Sequence, residues 1–311
     1  MKLIINLVTR GRPEVLARTI ESTIANITLP ETVLMVSVDE DDEATRAKLK
    51  WFAAPHVLVS VYPREDTLGE KYNRALVHPC DLICNLSDYT AFAAKGFDEQ
   101  ICQAAQTFPD GYGFVVNHLR NASFPDIFAM TRKLADKLTY YFPPLFPYWF
   151  SDHWVYDIAK LIDREHVIDC PVAYDKQGKP PTQNIRELAW WATFFDAGYL
   201  HRRMAAHAIV DGEDFEEAPW RKTVIKSKYP HIEWRSRWIN EQCRAQARDM
   251  EWNSSNGGTI PPDERYIRAK IKAMNLVPGL IAGMPPEEQQ RWVGQLLPPA
   301  NVINIPRVGM R

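Results

Sequence analysis

Val36-Ser-Val-Asp39-Glu-Asp-Asp42 and Asp81-Leu-Ile-Cys-Asn-Leu-Ser-Asp88-Tyr-Thr90 are the two stretches whose reading decides the fold. Each is an apolar run that ends on carboxylates, the pattern of a buried strand delivering acidic side chains to one edge of a sheet. In an open α/β sheet, ligands gather just beyond the carboxyl ends of the strands. Carboxylates and hydroxyls placed there are hard oxygen donors, suited to Mg²⁺ or Mn²⁺ holding a diphosphate.

The neighbouring sequence repeats the same alternation. Apolar runs at 3–8, 33–38, 57–62, 81–86 and 114–117 read as strands, and helical spacing at 14–24, 42–52, 68–76 and 96–107 fills the gaps between them. This predicts an α/β fold with a mostly parallel sheet flanked by helices. Further on, 128–130 reads as a strand leading into a helix over 131–138, and 167–172 as another strand before a helix over 185–195. Between them, 139–150 is rich in aromatics and proline and has no stable period; it either closes over a ligand or packs on the sheet. Ser151-Asp152 looks like a helix start. We place the end of the α/β unit near residue 215, with a nucleotide half over about 1–120 and an acceptor half over about 120–215. Residues 216–311 read as a mainly helical C-terminal extension, with helices opening at Pro262-Asp263 and Pro286-Glu287 and an extended tail from 298.

Composition narrows the function classes. The chain has 311 residues, 46% hydrophobic and 24% charged, with a formal net charge of −2. That balance gives no global reason to expect nucleic acid or an anionic membrane as partner. The segment 220–252, which mixes cations with tryptophans, can bind nucleic acid, but an amphipathic surface helix explains it better. Five cysteines with no C-x-x-C pair fit reduced thiols in a cytoplasmic protein. No stretch approaches the roughly 20 apolar residues that span a bilayer.

The stretch Ile4-Ile-Asn-Leu-Val-Thr9-Arg10-Gly-Arg12-Pro13, followed by Val38-Asp39 and by Leu68-Gly69-Glu-Lys71-Tyr-Asn73-Arg74-Ala75, resembles the opening of family 2 glycosyltransferases. Asn85-Leu-Ser87-Asp88 is similar to that family's metal-binding acidic motif, and Ser151-Asp152-His153-Trp154 to its late acidic motif. The resemblance covers roughly residues 3–165 in the family's order. It implies a GT-A fold, a nucleotide-diphospho-sugar donor, Mn²⁺ or Mg²⁺, and inversion at the sugar carbon. It also implies that Thr9 touches the nucleotide and that a late histidine, here His207 after a possible strand, completes the metal shell. The acidic motif departs from the family in having Leu86 and Ser87 where further aspartates usually stand.

The chemistry of the residues gives each a role and a rival. Asp88 suits a divalent cation that neutralises a departing diphosphate, or it caps a turn. Asp39 suits a hydrogen bond from base or ribose. Arg10 or Arg12 can reach a phosphate, although one of them reads equally as a surface charge. Gly69, Lys71 and Asn73 lie at a helix start that favours anions, or they serve packing. Asp152 suits the general base for an acceptor stacked on Tyr148, Trp149 or Trp154, and reads nearly as well as an N-cap. The acceptor stays open among a glycan, a lipid-linked sugar, a protein side chain and a modified nucleobase. The competing function is a non-catalytic GT-A-like protein that binds a nucleotide sugar or glycan. A sugar-1-phosphate nucleotidyltransferase is set aside, because Asn6-Leu7-Val8 supplies no glycine turn for a triphosphate.

Overall fold

The computed structural model describes residues 1–50, 52, 55–117, 125, 127–174, 187–211 and 264–298. The segment 220–252 and the tail from 299 lie outside the described residues. Four parallel strands, β1 (Leu3–Val8), β2 (Val33–Asp39), β3 (Val57–Tyr62) and β4 (Leu82–Ser87), lie in the order β3-β2-β1-β4. The sheet continues through β7 (Phe128–Thr131), β6 (Phe114–Asn117) and β8 (Glu165–Ile168). β7 runs antiparallel to both β4 and β6, whereas β8 is parallel to β6.

Register brings the acidic strand ends together. Val8 pairs with Ser37 on one side and Ser87 on the other, so Thr9, Asp39 and Asp88 emerge along one edge of the sheet. Strands β1, β2 and β4 are buried on both faces, and alternate residues feed separate cores, whereas the edge strand β3 exposes Val59 and Val61. Leu3, Ile5 and Leu7 face Leu16 and Ile20 of α1 (Pro13–Asn26) and Ile101 of α4 (Phe97–Ala105). Ile4 and Val8 face a second core built from aromatic residues. Two asparagines sit in the middle of strands on that side. Asn6 donates to Tyr72 O at 2.7 Å and accepts from Ser37 Oγ, while Asn85 accepts from Phe128 N at 2.8 Å. Each buried amide therefore has partners, as burial demands.

Helix α2 (Glu43–Leu49) is capped by Asp42, which accepts from Thr45 N. Helix α3 (Leu68–Asn73) opens on a reciprocal capping box between Thr67 and Glu70 and runs into a 3-10 turn over Arg74–Val77, so the single helix expected over 68–76 is divided. The strand expected over 167–172 is also divided. β8 ends at Ile168, and beyond Pro171 the chain starts β9 (Val172–Tyr174), which pairs with β5 (Thr90–Phe92) in a separate two-stranded sheet.

The loop 139–150 packs rather than covers. Tyr141, Phe142, Phe146 and Phe150 are buried, and Phe142 stacks on Tyr72 at 4.5 Å between ring centroids. Helix α5 (Arg132–Leu138) ends in this loop, and α6 (Ser151–Leu161) leaves it. Helices α7 (Leu188–Ala197), α8 (Tyr199–Asp211), α9 (Glu264–Ile281) and α10 (Pro286–Leu296) complete the described chain. Val277 and Trp292 join Phe146 and Trp191 in the aromatic core, so the described C-terminal helices share the core of the sheet. Arg268 and Lys272 on α9 also pair with Asp66, and Lys272 with Glu70, beside the start of α3.

A Cβ added at Gly69 would lie 2.3 Å from Pro143 O and 3.3 Å from Pro144 Cα. The missing side chain lets the loop backbone lie directly on α3. Gly69→Ala is expected to lower stability by about 1–3 kcal/mol in urea unfolding. An unchanged midpoint would mean that the loop yields freely.

Candidate active site

Asp88 stands at the end of β4, 4% exposed, with both carboxylate oxygens engaged. Thr9 Oγ1 donates to Oδ2 at 2.9 Å, and Arg12 Nη1 lies 3.1 Å from Oδ1. The backbone carbonyl of Asp88 accepts from Thr19 Oγ1 of α1 at 2.8 Å. Burial pushes the carboxyl of Asp88 above its ordinary value, although Arg12 and Thr9 favour its charged form. The turn-cap reading is not what the geometry shows, since the side chain points at Thr9 and Arg12.

Asp39, 2% exposed at the end of β2, is surrounded by cations. Its Oδ1 lies 2.9 Å from Lys71 Nζ and 3.2 Å from Arg74 Nη2, and Oδ2 accepts from Arg10 Nη1 at 3.0 Å. Arg64 approaches to 4.0 Å. Three of the four acceptor positions of the carboxylate are thus occupied, which leaves at most one for a nucleoside. The cations are held in turn: Arg74 by Glu65 and by the carbonyls of Val38 and Pro63, and Arg10 by two hydrogen bonds to Asp41. Lys71 Nζ also donates to Thr9 O at 2.6 Å, and burial, outweighing Asp39, pulls its ammonium below the ordinary lysine value. Lys71 therefore links the two carboxylate centres through Thr9.

The other residues expected around α3 have different work. Gly69 faces Pro143, and the Asn73 side chain donates to Phe142 O and accepts from Tyr141 N and Phe142 N. Of the N-terminal donors of α3, Leu68 N donates to Pro147 O at 3.0 Å and Glu70 N to the Thr67 side chain. Of the expected trio, only Lys71 reaches the strand ends. Ser87, half-buried at the end of β4, has its hydroxyl beside the buried Tyr72 phenol. Sequence reading passed over Arg64 and Arg74 as site residues; the three-residue spacing of Lys71 and Arg74, which puts both on one helix face, is the signal that marks Arg74.

Asp152 occupies the first turn of α6, with Phe150, at φ 71°, in the cap position, so Asp152 is not the N-cap. Its side chain is about one-third exposed, and Oδ1 accepts from His153 N at 2.8 Å and contacts His153 Nδ1 at 2.6 Å. Burial raises the carboxyl of Asp152, but the adjoining His153 more than offsets this and holds it below the ordinary aspartate value. Among the expected acceptor platforms, Tyr148 and Trp149 are half-buried. Trp154 is buried, donates to Tyr140 OH at 3.0 Å and lies where a Gly198 side chain would be, so it offers no open face. His207 follows no strand: it is a buried residue of α8, whose alanine-rich sequence favours helix. Among the described residues, no three His, Cys, Asp or Glu side chains converge as a metal cluster. Asp88 with Thr9 is instead a donor set for a cation shared with phosphate oxygens.

No protein-family model matches the sequence, and no curated protein sequence matches it. Among solved structures, the chain superposes on S. aureus TarS 1–349 in complex with UDP-GlcNAc with a TM-score of 0.51 at 13% identity, over 95% of this chain and 90% of that one. The chain has a GT-A-type fold. The mannosyltransferase PcManGT from Pyrobaculum calidifontis, in complex with GDP-Man and Mn²⁺, matches with a TM-score of 0.47 at 15% identity, over 94% of this chain and 84% of its own. Glucosyl-3-phosphoglycerate synthase from Mycobacterium tuberculosis, with Mn²⁺, UDP and product, matches over 65% of this chain and 79% of its own, with a TM-score of 0.48 at 13% identity. No helix among the described residues is long and apolar enough to cross a membrane.

Removing the Asp39 carboxylate strands Lys71 and Arg74 in the interior. Asp39→Ala is expected to cost about 3–5 kcal/mol of stability, read by urea unfolding. A loss below about 1 kcal/mol would show that Glu65 and Thr9 O suffice to hold the cations.

Proposed function

We propose that this chain is a glycosyltransferase that moves a sugar from a nucleotide-diphospho-sugar to an acceptor hydroxyl, with inversion. The observation that carries the reading is the meeting of Thr9, Arg10, Arg12, Lys71, Asp39 and Asp88 along one edge of a GT-A sheet. Its cations suit a diphosphate, and its position beyond the strand ends suits a nucleotide. Asp39 holds the cation cluster and has one acceptor position for the nucleoside. Lys71 and Arg12 face the diphosphate. Asp88 and Thr9 fit Mn²⁺ or Mg²⁺, which when bound would stabilise the charge growing on the leaving diphosphate.

In the transfer step, the acceptor oxygen attacks the anomeric carbon from the face opposite the diphosphate. The bond from that carbon to the phosphate oxygen breaks, and the diphosphate leaves with the electron pair. Asp152 takes the hydroxyl proton as the new bond forms. His153 fixes the carboxylate by its hydrogen bonds and keeps it ionised. Whether the sugar is a hexose or a pentose rests with the pocket walls.

The second reading, a GT-A-like protein that binds a nucleotide sugar or glycan without turnover, is favoured by one observation: among the described residues Asp88 belongs to no cluster of three metal-ligating side chains, and it is already paired with Arg12. Calorimetry with UDP- and GDP-sugars, with and without Mn²⁺, combined with assays of transfer and donor hydrolysis, separates the two. Binding without any turnover across an acceptor panel establishes the binding reading, and failure of every nucleotide sugar to bind removes both.

Asp152→Asn is expected to lower kcat by about 10²–10⁴-fold while donor affinity stays within about twofold of wild type. A general base must be deprotonated, so a lowered carboxyl value carries activity further into acid. The acid limb of the pH–rate profile is therefore expected below the ordinary aspartate range. His153→Gln, which removes the neighbouring imidazole, should move that limb to higher pH; an unmoved limb would take the base role away from Asp152.

A further inference from the structure

We infer that Arg12 is a built-in counter-ion of Asp88 that occupies the position of a divalent cation, and that donor and metal binding proceed by exchange. The guanidinium leaves Asp88 and turns to the incoming diphosphate. This rests on the reading of the strand-end site as a donor and metal site.

Three observations carry the exchange. Both oxygens of Asp88 are already in contact, Oδ2 with Thr9 Oγ1 at 2.9 Å and Oδ1 with Arg12 Nη1 at 3.1 Å. A divalent cation that binds Oδ1 meets the positive guanidinium there, and repulsion between the two cations drives Arg12 away. Arg12 is incompletely satisfied where it sits: Nη1 meets Asp88, and among the described residues its buried Nε has no hydrogen-bond partner. A buried donor without an acceptor costs free energy that an arriving phosphate oxygen would recover. Finally, Arg12 is placed to move. It is the N-cap residue of α1, where its carbonyl accepts from Leu16 N at 3.0 Å but its side chain makes no capping hydrogen bond; it follows Gly11 at φ 69° and rests on the Tyr89 ring at 5.6 Å, a contact that holds a cation without fixing its direction.

The pairing also explains how a site with a single acidic residue manages its charge. An unpaired buried Asp88 would be costly in the empty protein, and Arg12 supplies the missing charge until the metal arrives. Once displaced, the same positive charge faces the diphosphate. Cation and donor are then coupled by reciprocal linkage: each makes the exchange easier for the other.

The test is Mn²⁺ affinity of the full chain without nucleotide, read by the paramagnetic resonance signal of free Mn²⁺. Removing the competitor, Arg12→Ala should bind Mn²⁺ at least tenfold more tightly than wild type. Arg12→Gln, which retains a neutral donor to Asp88 and protects against a folding failure, should move in the same direction. Lys48→Ala is the control, since Lys48 pairs with the exposed Glu14 away from the strand ends and should leave Mn²⁺ affinity unchanged. Asp88→Asn should abolish binding in either background. With UDP or GDP added, the gain in Mn²⁺ affinity should be larger in wild type than in Arg12→Ala. Mn²⁺ affinity that is unchanged or weaker in both Arg12 variants, or no Mn²⁺ binding by wild type and variants alike, overturns the exchange. The Mn²⁺ measurement needs no nucleotide, so its outcome is independent of whether any nucleotide sugar binds, which decides the functional reading.

Discussion

The buried carboxylate of Asp39 is the constraint on which the rest of the site depends. An ionised group with 2% exposure is tolerated only when it is paired and hydrogen-bonded. Asp39 meets that demand with cations from separate parts of the chain: Arg10 after β1, Arg64 after β3, and Lys71 and Arg74 on and after α3. Satisfying one carboxylate therefore fixes α3 against the strand ends. From Lys71 the contacts run on through Thr9 to Asp88 and Arg12, so the two acidic strand ends form one connected polar network.

Helix α3, only six residues long, is also where the remaining parts of the molecule meet. Gly69 and Asn73 dock the loop 139–150, whose far end sets the first turn of α6 and with it Asp152. Glu70 and the preceding Asp66 take the ion pairs from α9. The last pairs are half-exposed on the cation side and add little stability individually, but they tie the C-terminal helices to the element that carries Lys71. The strand-end carboxylates, the loop leading to Asp152 and the C-terminal helices are thus registered on one short helix.

Strands β1 to β4 were legible because each is an apolar run bounded by polar joints, the form that burial on both faces demands of β1, β2 and β4, whereas the edge strand β3 keeps its apolar run with Val59 and Val61 exposed. The late elements were harder for physical reasons. Nothing local distinguishes the antiparallel β7 from a parallel strand, because direction is set by the partners it meets. The stretch 167–172 reads as one strand because valine and isoleucine bound it, yet Asp169 and Pro171 interrupt it and the chain passes to a second sheet. His207 was read after a strand, but its neighbours form a helix packed into the core. Tryptophan and tyrosine in 139–154 look alike in sequence whether they wait for a ligand or fill an interior. Trp154 fills an interior.

The sequence by itself determined the α/β alternation, the parallel β-sheet core and the delivery of Asp39 and Asp88 to strand ends, because hydrophobic periodicity and turn chemistry are local properties. Only the tertiary structure decided what those carboxylates face. Asp39 proved to be the centre of a cation cluster, and Asp88 the partner of Thr9 and Arg12. Such pairings join residues far apart in sequence through strand register and helix packing. A carboxylate shows its charge in the sequence; its counter-ion is chosen only when the chain has closed around it.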